Sequence, residues 1–68
     1  MTVGMKVKKT IADLKGTNAT LKLYSIQSGP KESKDTYMEA SKLLDEIILD
    51  LEKRLKVLEF EEPQYKGF

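Results

Sequence analysis

The side chains most often used for chemistry are missing from this sequence: its 68 residues include no histidine and no cysteine. Without an imidazole or a thiolate, a serine or threonine has no ordinary base to activate it. Zinc ligand sets and the Glu-x-x-His pattern of helical di-iron proteins are likewise absent. What remains is carboxylate, ammonium and hydroxyl chemistry, from eleven Asp and Glu and twelve Lys and Arg. A carboxylate pair doing acid–base work needs a desolvated pocket. The four glycines stand scattered at positions 4, 16, 29 and 67, so neither a phosphate-cradling loop nor a calcium loop is spelled out. The expectation is a protein that is not an enzyme, with no catalytic, cofactor-binding or metal-binding residues.

Charge offers the next possibility. Lys6, Lys8 and Lys9 form a basic cluster, and such a cluster can neutralise phosphates. Residues 1–28 carry five lysines against one aspartate, +4, while the rest of the chain holds seven basic and ten acidic residues, −3. Pairing between a basic and an acidic half accounts for this asymmetry without a nucleic acid. No aromatic ring lies among those lysines to stack on bases, and the acidic half repels a polyanion. Nucleic-acid binding is therefore disfavoured, and peripheral attachment to anionic lipid stands beside it as an alternative.

The elements that must position these residues are helical. The one strong break is "SGPK", Ser28 to Lys31, where Gly29 can end one helix or cap the next and Pro30 suits a first helical position. The pattern predicts a single domain, 1–68: a helix over about 3–27 after an N-cap at Thr2, a turn at 28–30, a second helix over about 30–61 and an extended tail at 62–68. Pro63 stops the second helix. The fold class is all-α, an antiparallel two-helix hairpin.

The second helix gathers Tyr37, Ala40, Leu44, Ile47, Ile48, Leu51, Leu55 and Leu58 into one apolar stripe, with Glu39, Lys42, Glu46, Asp50 and Lys53 opposite as a solvated face. The first helix carries two stripes. One holds Val3, Val7, Ile11, Leu14 and Leu21, interrupted by Asn18. The other, about 140° around the helix, holds Met5, Ala12, Ala19, Leu23 and Ile26 with Gly16 beside them. Asn18 either fixes register as a buried polar residue or sits at the stripe's edge in water. Lys8, Lys15 and Lys22 recur every seven residues between the stripes, so that their ammonium groups can meet carboxylates of the second helix.

One partner helix cannot cover two stripes. A chain this short has little core, and with disulfides and metals excluded, self-association is the remaining route to stability. The expectation is a homodimer in a four-helix bundle, with Met5, Ala12, Gly16, Ala19, Leu23 and Ile26 as the interface. Tyr65 and Phe68, in the closing "EEPQYKGF", are candidate docking anchors. No apolar run approaches the length of a membrane span, and the start shows no secretory signal. An intracellular location is expected, in cytoplasm or spore or peripheral to a membrane.

The opening "MTVGMKVKKTIADLKGTNATLKLYS", the central "DTYMEASKLLDEIILDLEKRLKVLE" and the closing octet resemble a family of small uncharacterised proteins of endospore-forming bacteria, domain of unknown function 1657. The resemblance covers essentially the whole chain, and the octet is its most specific part. Members are encoded near spore membrane proteins, including the stage V sporulation channel group, and a similar domain occurs fused to a membrane protein. The resemblance thus implies a sporulation-associated interaction or structural module acting with a spore membrane protein. It carries no catalytic motif. Gly29 stands where the family pattern leads us to expect Asp before Pro, which weakens the second helix's cap. The alternative function is a basic-faced spore protein binding DNA or anionic lipid through Lys6, Lys8 and Lys9.

Overall fold

A computed structural model describes residues 2–61; Tyr65 and Phe68 lie outside them. The chain forms two helices, α1 (Val3–Gln27) and α2 (Lys31–Glu61), packed as the expected helical hairpin. Thr2 starts α1 in extended backbone, with its Oγ1 accepting a hydrogen bond from the Met5 N–H at 3.1 Å. That satisfies one of the donors that a helix start leaves without an intrahelical partner. At the other end the Ser28 N–H donates to the Tyr24 carbonyl at 2.9 Å, and Ser28 itself returns to extended backbone. The Pro30 carbonyl then accepts from the Lys34 N–H at 3.1 Å, beginning the ladder of α2. Neither glycine nor any other described residue has a positive φ, so the turn does not depend on glycine's conformational freedom.

The two helices meet along a seven-residue repeat. One series, Gly4, Ile11 and Asn18 on α1 and Ser41 and Ile48 on α2, is buried; a second series, Val7, Leu14 and Leu21 with Tyr37, Leu44, Leu51 and Leu58, is only half-buried. This spacing of four and three is that of a coiled-coil seam. The larger apolar side chains therefore occupy the less covered half. Ile11 and Ile48 are the buried apolar residues among those described. Ile47, expected in the α2 core stripe, is 40% exposed, and Val3 on α1 is also exposed; each lies at the outer margin of its stripe. Ser41, which the stripe omits, is buried at 4% exposure.

Candidate interaction surfaces

The two sides of the seam differ, and helix geometry explains how. Four residues after the buried Gly4, Ile11, Asn18, Ser41 and Ile48 and the half-buried Leu55, about 40° around the helix, stand Lys8, Lys15 and Lys22 on α1 and Asp45, Glu52 and Glu59 on α2. They pair across the hairpin: Lys8 Nζ to Glu59 Oε2 at 3.2 Å, Lys15 Nζ to Glu52 Oε2 at 3.2 Å, and Lys22 Nζ to Asp45 Oδ1 at 3.6 Å. Each seven-residue step forward in α1 matches a seven-residue step back in α2. This fixes the antiparallel register and closes one edge with neutralised charge. The pairs are largely solvated, so each contributes at most about 1 kcal/mol.

The same edge protects a polar layer. Asn18, at 6% exposure, donates from Nδ2 to Asp45 Oδ1 at 2.6 Å and accepts on Oδ1 from Ser41 Oγ, also at 2.6 Å. Of the two readings open for Asn18, the buried one holds. Among the described residues no buried side-chain polar atom lacks a partner, so the layer stays within the rule that buried polar groups are bonded.

The opposite edge is neutral overall, its Arg54 and Glu61 being of opposite sign. Three residues after the half-buried series of Val7, Leu14, Leu21, Tyr37, Leu44, Leu51 and Leu58, about 60° around the helix, come Thr10, Thr17 and Tyr24 on α1 and Ala40, Ile47, Arg54 and Glu61 on α2. Thr10 and Thr17 donate their hydroxyls to their own helix, to the carbonyls of Lys6 at 3.0 Å and Asp13 at 3.2 Å. Arg54 is neutralised within α2, Nε to Asp50 Oδ2 at 2.9 Å. Near the turn, the rings of Tyr24 and Tyr37 meet at 5.6 Å. Two shallow clefts flank that pair, of about 320 Å³ beside Glu32, Ser33 and Thr36, and about 200 Å³ beside Gln27 and Ser28. Both are open to solvent.

The second stripe of α1 faces away from α2. Ala12, Gly16 and Ala19 are exposed, Leu23 is 49% and Ile26 75% exposed, and Met5 is half-buried beside the cap. A Cβ built at Gly16 meets nothing within 4 Å. The hairpin thus brings the six residues onto one accessible strip without covering it. Sequence reasoning missed the neutral edge, which emerges only when the register of α2 against α1 is known.

The sequence matches the family model described as "Protein of unknown function (DUF1657)" over residues 7–55. The chain belongs to this family. The DUF1657 match covers most of both helices, including the Asn18–Ser41 layer and the Lys15–Glu52 and Lys22–Asp45 pairs. Comparison with curated proteins and with solved structures gave no match. Among the described residues no group of three carboxylates is placed to hold a metal ion, and no helix is long and apolar enough to cross a membrane.

Proposed function

We propose that this DUF1657 chain is a non-enzymatic interaction module of endospore-forming bacteria, acting with a spore membrane protein by docking one of its helices on the outer strip of α1. The observation that carries this reading is the strip itself: Ala12, Gly16 and Ala19 are exposed at its centre, where a helix backbone can approach closely. Met5, Leu23 and Ile26 flank them and supply apolar contact. The sporulation setting rests on the sequence resemblance. Tyr65 and Phe68 are additional anchors for the same partner; a chain ending after Glu62 should bind it more weakly while folding as before.

The decisive comparison is retention of membrane proteins from detergent-solubilised sporulating cells by the native chain and by Gly16→Leu. The variant adds side chain where there is open space, so the hairpin's helicity should be unchanged while retention falls at least about 10-fold. Equal retention by both chains would remove the reading. The alternative, DNA or anionic lipid bound through Lys6, Lys8 and Lys9, has weaker support. Lys8 is already paired with Glu59, and salt would weaken such binding steeply.

A further inference from the structure

We infer that two copies of this chain close against each other over the neutral, leucine-bearing edge of the hairpin, making a four-helix bundle whose outside carries the α1 strip. This goes beyond the docking role above and does not depend on it. The hairpin has its sides unequally finished. Its salt-bridged edge covers a glycine, an asparagine, a serine and two isoleucines, whereas its open edge leaves Leu14, Leu21, Leu44 and Leu51 half-buried. These four leucines thus lie where the described hairpin covers them only in part, and the remaining water contact is unfavourable in proportion to area.

A second copy fits this edge in charge, in size and in repeat. The flanking Thr10, Thr17 and Ile47 carry no charge, and the threonine hydroxyls are satisfied within α1, so covering them strands no donor. A charged partner would find little counter-charge there, since Arg54 is held by Asp50 and Glu61 stands at the very end of α2. The Cα framework is 17 Å wide, and α1 runs about 37 Å at about 1.5 Å per residue. That is a strip of roughly 600 Å² per copy, at the lower end of what specific interfaces bury. Leucines recurring every seven residues on both helices also let an isologous pairing set apolar layers against apolar layers. The six residues expected from sequence to form the self-association face are left for other partners.

The test uses the full chain and its freedom from native cysteine. Sedimentation equilibrium should give a dimer at 0.1 M and 1 M salt. Thr17→Glu with Ile47→Glu places like charges in the seam and should weaken dimerisation at least about 100-fold. Ala12→Glu with Ala19→Glu should leave it within about 3-fold. Because a dissociated variant can also lose helicity, a second readout avoids dissociation. The thiol of Ile47→Cys should be alkylated at least about 10-fold more slowly at high than at low protein concentration, as cover over a buried interface requires, and that of Leu23→Cys at the same rate at both. A native chain that is monomeric throughout, whether its own residues 62–68 or nothing covers the edge, overturns the inference. So does dissociation by the Ala12 and Ala19 pair alone, or protection of Leu23→Cys in place of Ile47→Cys.

Discussion

Asn18 commits both ends of its amide to α2, to Asp45 and to Ser41. Truncation to alanine leaves the buried Ser41 hydroxyl without its acceptor and opens a gap, which should cost about 1–3 kcal/mol. In a domain this small each kcal/mol lowers the melting temperature by about 4–8 °C, so a thermal scan of Asn18→Ala reads the effect directly. Asn18→Leu with Ser41→Ala should instead melt higher than Asn18→Ala, because both polar partners are removed together, and should populate additional registers that broaden its amide NMR spectrum. A single sharp spectrum would show that the layer does not select register. The sequence made Asn18 visible, since it interrupts an apolar stripe. Ser41 was not visible: a serine between Ala40 and Lys42 breaks no pattern, and its burial follows only from which residue of α1 it faces. Gly16 is informative in the same local way. A methyl there meets nothing within 4 Å, so Gly16→Ala should stabilise the isolated chain by about 0.5–1 kcal/mol, seen as a higher melting temperature. Loss of stability instead would mean that a neighbour already presses on the strip.

Helix boundaries were the most legible feature at the level of elements: Thr2 marks the entry as acceptor, the break at Ser28 the exit and Pro30 the re-entry. The role of Gly29 was not legible. Its φ is not positive and a Cβ there meets nothing within 4 Å, so Gly29→Ala should stabilise the chain by about 0.4–1 kcal/mol through the unfolded state. A denaturant midpoint shifted downward would show that the turn needs a conformation only glycine adopts. Charge at this level fixes alignment more than it adds stability. The three lysines spaced by seven announced a ladder, and the carboxylates that complete it, Asp45, Glu52 and Glu59, are spaced by seven as well. Stripe assignment was less secure at the margins, as at Ile47. On a wheel of one helix a margin residue is indistinguishable from a core residue until the second helix is set beside it.

The molecule as a whole is a single layer, with Cα extents of 48 × 17 × 11 Å, and a layer one helix thick has no interior of its own. Ile11 and Ile48 are buried, yet Leu23, Ile26, Leu43, Leu49, Val57 and Phe60 are exposed among the described residues. Folding a chain this short around so small a core leaves a margin near zero once conformational entropy is set against burial. Assembly over the leucine edge changes that balance by coupling folding to association, and coupling makes stability depend on concentration. If the dimer is the folded unit, a 100-fold rise in protein concentration should raise the melting temperature by about 10 °C, from the roughly 0.7 kcal/mol of unfolding enthalpy per residue summed over two chains. The Ala12 and Ala19 glutamate pair should show the same slope, since its substitutions lie outside the proposed seam. The Thr17 and Ile47 pair should melt lower and lose the slope over the same range. A melting temperature independent of concentration in the native chain would mean that the hairpin is stable alone, and that its half-buried leucines are the resting surface of a monomer.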